Sequence, residues 1–106
     1  MVKVRIWDDG VTVWYNNSKR HRANGPAVIT SDGSWIWCTN DKRHRVGGPA
    51  VWWANGETSW WFNGNRHNPS GPAITWDDGT NFWYWHGQQV TEYEHMILAE
   101  QETHND

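Results

Sequence analysis

Residues 25–47 read GPAVITSDGSWIWCTNDKRHRVG, and at residue 48 the chain returns to Gly-Pro-Ala. That tripeptide stands at 25–27, 48–50 and 71–73, always 23 residues apart. The same step carries three further columns: Trp14, Trp37, Trp60 and Trp83; Gly10, Gly33, Gly56 and Gly79; and His21, His44 and His67. The chain is one short unit written several times, with incomplete copies at both ends. A unit of this length cannot bury a core alone, so neighbours must stack and share one. A side chain repeated down a column therefore reads first as architecture and only second as a site.

Within the quoted unit, Gly25–Thr30 is β-prone, with Pro26 at the strand start where no ladder donor is required. Ser31-Asp32-Gly33 is a turn, and Ser34–Cys38 is the return strand. A second turn at Asn40-Asp41 recurs as Asn17-Ser18, Asn63-Gly64 and His86-Gly87. A polar arm, Lys42-Arg43-His44-Arg45, then leads to the next Gly-Pro-Ala. The pattern predicts an all-β fold, an antiparallel β-hairpin repeat array of about eight short strands with a short C-terminal capping helix. The array covers residues 1–90: a partial unit at 1–7, then units near 8–30, 31–53, 54–76 and 77–90.

The period of two assigns faces. The Ala column (Ala27, Ala50, Ala73) is always small and the Trp column always large, so rings and methyl groups are expected to interdigitate in the core. Trp52, Trp53, Trp61, Trp76 and Trp85 lie outside that column and crowd the later copies, where at least three are expected to be exposed as an aromatic patch.

Composition agrees with a single domain of 106 residues. Eleven tryptophans in an otherwise polar chain must supply most of the apolar burial. Cys38 has no partner for an internal disulfide, which suits a reducing, cytoplasmic compartment. No apolar run reaches the length of a membrane span. Residues 1–90 hold all nine Lys and Arg against seven acids, whereas residues 91–106 hold five acids and no Lys or Arg. This mildly basic body is far from the strongly basic footprint of a protein that binds long nucleic acid. Residues 91–106 form the capping helix and acidic tail: Thr91-Glu92-Tyr93-Glu94 fits a capping box, and Tyr93, Met96 and Ile97 share a stripe. A helix near 92–101 is expected to lay that stripe on the last hairpin, with residues 101–106 fraying.

Trp14-Tyr15-Asn16-Asn17-Ser18-Lys19-Arg20-His21, together with the Asp-Gly turns and the 23-residue step, resembles a MORN repeat over residues 8–90. The form with His-Arg-x-x-Gly-Pro-Ala is similar to a MORN variant of small phage and large-virus proteins. It departs from the common repeat in carrying Arg22, Arg45 and Asn68 after the histidines, where that repeat has Gly. The resemblance implies a hairpin array that serves as a binding or scaffolding surface without catalysis.

The residues themselves point the same way. Three histidines one unit apart are spread over roughly 20 Å and cannot converge on one ion, so no metal or cofactor is expected and the rings should bond the following turn. Asp8-Asp9 and Asp77-Asp78 flank turn glycines at opposite ends of the array, and Cys38 sits in a strand column, so no catalytic residue is assigned. Arg20, Arg22, Arg43 and Arg45 combine charge with a planar donor fork, and Trp52, Trp53 and Trp61 supply rings beside them. These seven are the expected binding residues of a non-enzymatic protein. Its expected partner is a host protein in the host cytoplasm. A small anionic ligand such as a nucleotide, held between Arg and Trp, is the second reading, and a glycan stacked on tryptophan is the third.

Overall fold

The computed structural model describes residues 1–103. Its repeat is held by one recurring ladder. The Trp14, Trp37 and Trp60 N–H groups donate to the Ala27, Ala50 and Ala73 carbonyls at 2.8, 2.6 and 2.6 Å. Those alanines donate in turn to the Ile36, Ser59 and Phe82 carbonyls at 2.8, 2.9 and 3.0 Å. Each Ala is thus pinned between two strands, and all three have 0% exposed surface. The rest of the apolar core is small as well: Val13, Val51 and Cys38.

The strands are short. They are β1 (Val2–Ile6), β2 (Thr12–Asn16), β3 (Lys19–Arg20), β4 (Val28–Ile29), β5 (Trp35–Ile36), β6 (Cys38–Thr39) and β7 (Lys42–Arg43). There follow β8 (Val51–Trp52), β9 (Thr58–Ser59), β10 (Trp61–Phe62), β11 (Asn65–Arg66), β12 (Ile74–Thr75), β13 (Asn81–Trp85) and β14 (Gln88–Val90), then helix α1 (Glu92–Thr103). An antiparallel ribbon runs in the order β1-β2-β4-β5-β8-β9-β12-β13-β14. Beside it stand small hairpins, β6 with β7 and β10 with β11, while β3 pairs with β2.

Among the described residues there are fourteen strands where the sequence suggested about eight. The return strand Ser34–Cys38 divides at Trp37, whose N–H bonds the ribbon while its C=O accepts from His44 at 3.1 Å. Beyond that residue the chain pairs with its own polar arm, so the arm is strand rather than loop.

The Trp column differs from expectation too. Trp14, Trp37, Trp60 and Trp83 are all half-buried rather than enclosed. The molecule measures 46 × 35 × 18 Å, and backbone bonds join successive small hairpins, Asp41 N–H to the Arg20 carbonyl and Gly64 N–H to the Arg43 carbonyl, each at 2.9 Å. Arginine covers the first two of these tryptophans: the Arg22 Cζ lies 4.0 Å from the Trp14 centroid and the Arg45 Cζ 4.1 Å from that of Trp37. Of the five other late tryptophans only Trp76 is exposed, at 44%; Trp52, Trp53, Trp61 and Trp85 are half-buried. The patch of three exposed rings does not form.

At one end β1 is exposed along its whole length. At the other end α1 packs on β13. The capping box is present: Glu94 N–H donates to Thr91 Oγ1 at 3.0 Å, and Thr91 N–H donates to Glu94 Oε1 at 2.8 Å. The helix extends to Thr103 rather than 101, and the remainder of the expected frayed tail lies outside the described residues. Two of the three residues of the expected contact stripe are exposed, Tyr93 at 67% and Met96 at 54%, while Ile97 is half-buried. His95 docks instead, 4% exposed, with its ring 4.9 Å from Trp83 and 5.3 Å from Trp85. Its Nε2 is 2.6 Å from the Asn68 carbonyl oxygen. A polar acceptor inside an aromatic cleft selects an imidazole over an aliphatic chain.

Candidate functional site

The small hairpins turn through residues with positive φ: Asn17 and Ser18 at 52° and 69°, Asn40 and Asp41 at 49° and 69°, Asn63 and Gly64 at 50° and 84°. Two consecutive left-handed residues make the type I′ turn that matches strand twist. The histidine column secures each turn from the preceding unit. Asn40 N–H donates to His21 Nδ1 at 3.2 Å, Asn63 N–H to His44 Nδ1 at 3.0 Å, and His86 N–H to His67 Nδ1 at 3.0 Å. The expected bond to the following turn is what the histidines make, and it leaves the ring proton on Nε2. Burial and the neighbouring His86 hold the His67 pKa below its usual value.

With the hairpins thus fixed, Arg20, Arg43 and Arg66 stand opposite Tyr15, Cys38 and Trp61. Arginines and column residues alternate along the array. The Arg43 and Arg66 Cζ atoms lie 5.0 and 5.1 Å from the Trp61 centroid, and Arg66 lies 5.4 Å from that of Tyr84. Trp61 is oriented by its indole N–H, which donates to Ser59 Oγ at 2.8 Å. Arg20 is oriented differently. Its Nε and backbone N–H both donate to Asp41 Oδ1, at 3.1 and 2.7 Å, which holds the Asp41 carboxyl below the usual carboxylate range. The result is a ridge of guanidinium groups, with Trp61 between Arg43 and Arg66, flanked by exposed Lys19 and Lys42. Beneath it the Cys38 thiol is 2% exposed, and burial raises its pKa despite the opposing charges of Arg20 and Arg43. It is a packed thiol.

Of the seven residues expected from sequence, the ridge gathers Arg20, Arg43 and Trp61. Arg22 and Arg45 are elsewhere and otherwise engaged. Arg22 Nη1 donates to the Pro26 carbonyl at 3.2 Å and Arg45 Nη1 to that of Pro49 at 3.1 Å, while each guanidinium covers a column tryptophan. A Cβ on Gly25 or Gly48 would come within 2.9 or 2.8 Å of these guanidinium carbons, so the arginines and these two glycines fit together, whereas at Gly71 the nearest atom would be Asn68 Nδ2 at 3.5 Å. Asn68 takes the same place in the next unit, donating to the Pro72 carbonyl at 3.0 Å. The arginine that departs from the common repeat is therefore a clamp that ties the polar arm to the column tryptophan before it and the Gly-Pro-Ala after it. Trp52 stacks on Trp35 at 6.1 Å on the ribbon, and Trp53 closes the following turn by donating to the Glu57 carbonyl at 2.9 Å. Neither joins the ridge arginines.

The sequence placed Arg66 in a weakened third arm and Tyr15 and Tyr84 in the column of Cys38, and left all three out of the expected binding set. The signal was the 23-residue step from Arg20 and Arg43 to Arg66, obscured because the rest of that arm departs from the basic pattern. No family model matches the chain, and no curated protein or solved structure is similar to it.

Proposed function

We propose that this chain is a non-enzymatic binding protein that meets an acidic surface of a partner protein through the Arg20–Arg43–Arg66 ridge. The observation that carries the reading is the sandwich of Trp61 between two guanidinium groups at 5.0 and 5.1 Å. Like charges on successive hairpins repel, and a ring between them holds each fork in place without neutralising it. Preordered forks lose less rotamer freedom on binding than free ones, which favours affinity for carboxylate or phosphate. Arg22 and Arg45, bound to backbone and rings, offer no comparable surface. The likeness to phage- and virus-type repeats makes a host protein the expected partner. The unpaired Cys38 accords with a cytoplasmic setting.

Native mass spectrometry of the protein purified from its producing cells, compared with an Arg43→Ala, Arg66→Ala variant, tests this. A retained partner should be lost or weakened by about 1–3 kcal/mol in the variant, with steep salt dependence. A partner held equally well by the variant would place the binding surface elsewhere.

A further inference from the structure

We propose that the outer edge of β1 is a docking strand, and that it takes an extended acidic segment of a partner protein as one more antiparallel strand of the ribbon. The proposal goes beyond the ridge reading and stands on a different element.

β1 is paired on one side only, to β2. Trp7 N–H donates to the Val11 carbonyl at 2.8 Å and Asn17 N–H to that of Met1 at 3.4 Å, so the backbone groups of Met1, Lys3, Arg5 and Trp7 face β2. By the alternation of an antiparallel ladder, the N–H and C=O groups of Val2, Val4 and Ile6 face outward. The array itself shows what such an edge receives. Val4 stands 23 residues before Ala27, and the Ala27, Ala50 and Ala73 carbonyls each accept a tryptophan N–H from the strand before them. Among the described residues, no strand occupies that place for Val4. The interior strands β4, β5, β8, β9 and β12 are two residues long, whereas β1 offers five in a row without a proline. Long edges of this kind accept strand addition. The side chains are bare as well: Val2, Val4 and Ile6 share one face and are 65%, 52% and 72% exposed.

Charge selects the occupant. Lys3 and Arg5 lie on the opposite face of the strand from the valines. Lys3 pairs across from Tyr15, which pairs in turn with Arg20, so this basic face runs on into the ridge. The Arg5 Cζ lies 3.7 Å from the Trp7 centroid, which orders that fork. The acids at this end, Asp8 and Asp9, belong to the turn beyond, where Asp9 Oδ1 accepts from the Val11 N–H at 3.1 Å. A second copy of the chain is a poor occupant. Antiparallel pairing of β1 with itself about Val4 sets Lys3 against the second copy's Arg5, and pairing about Lys3 or Arg5 sets that residue against its like. Like charges directly opposite are unfavourable. A strand with carboxylates facing Lys3 and Arg5, and apolar side chains facing Val2, Val4 and Ile6, turns that repulsion into attraction. The charges that keep copies apart are the ones that admit an acidic strand.

Titration of the whole protein with a short peptide alternating Glu and Val, and separately with one alternating Lys and Val, followed by amide NMR shifts and hydrogen exchange, tests the edge. The Glu peptide is expected to bind saturably, at least about ten-fold more tightly than the Lys peptide, and to slow exchange of the Val2, Val4 and Ile6 amides. Val4→Pro removes an outward N–H that β2 does not use, so it should keep the fold and weaken the Glu peptide about ten-fold or more. Should Val4→Pro fail to fold, the Lys3→Glu, Arg5→Glu variant provides the same reading, because its preference should reverse to the Lys peptide. Failure of the Glu peptide to bind, equal binding of the two peptides, protection that appears away from β1, or binding undiminished in folded Val4→Pro overturns the proposal. So does a dimer, seen by light scattering of the parent, that Val4→Pro converts to monomer, since the occupant is then a second copy. A partner lost from the Arg43→Ala, Arg66→Ala variant in a protein that takes neither peptide overturns the edge and leaves the ridge reading standing. Glu peptide bound at β1 in a protein whose retained partner ignores Arg43 and Arg66 supports the edge and overturns the ridge.

Discussion

Arg43 and Arg45 are two residues apart in one arm and serve different ends. Arg45 lies over Trp37 and donates to the Pro49 carbonyl, whereas Arg43 leans on Trp61 at the surface. Arg45→Ala should cost about 1–2 kcal/mol, the sum of one backbone hydrogen bond and one guanidinium–ring contact. Arg43→Ala should fall within about 0.5 kcal/mol of the parent. Urea midpoints of the two variants decide this, and equal values would mean that Arg45 is no clamp. Ala50, with 0% exposure between two strands, gives the opposite kind of test. Ala50→Leu should cost roughly 1–3 kcal/mol by overpacking, read as a fall in thermal midpoint. The Ala column was legible in the sequence because small size recurs in every copy. The arginine clamp was not, because a charged residue in a polar arm looks solvated until the proline carbonyl four residues ahead curls back to meet it.

At the scale of the element, the helix shows how far periodicity reaches. The start at Thr91 was legible because a capping box is local chemistry, four residues long. Thr91→Ala should cost about 1 kcal/mol, seen as lost helical ellipticity and a lower midpoint. The docked face was illegible, because it was set by a cleft between Trp83 and Trp85 that no helix pattern encodes. The nearby His67 adds a pH dependence of definite sign. Its pKa is depressed in the folded chain below the ordinary 6.5, so the unfolded chain takes up a proton first as the pH falls. Stability from this group is therefore complete above about pH 6.5 and declines as the pH drops through that value toward the folded pKa. Thermal midpoints from pH 7.5 down to 5.5 should fall in the parent and fall less in His67→Gln. In the ridge, Arg20 and Arg43 could be read from sequence as exposed forks. Which ring each would meet depended on pairing β6 with β7 and β10 with β11, a pairing hidden when the arms read as loops.

At the scale of the molecule, every junction repeats the same bonds, so copies should be interchangeable. Deletion of residues 31–53 joins Thr30 to Ala54 at equivalent points of two units. The shortened chain should fold cooperatively with the same β-rich spectrum and a lower midpoint, since stability in such arrays is roughly a sum over units and their interfaces. Deletion of 31–52 instead leaves one residue too many and reverses the faces of everything after it, so it should not fold. Circular dichroism melts of the two deletions separate these outcomes.

The bonds that lock one turn to the unit before it span few residues: His21 reaches only as far as Asn40, His44 to Asn63 and His67 to His86. No junction therefore has to wait for a distant part of the chain. Structure can grow behind the ribosome in the order in which it is made. At roughly 5–20 residues per second a new unit becomes available about every one to five seconds, each finding its template already standing. The strand left open at each moment is the surface on which the next copy is laid. Synthesis order and assembly order become the same sequence of events, with α1 laid on β13 after the hairpins before it.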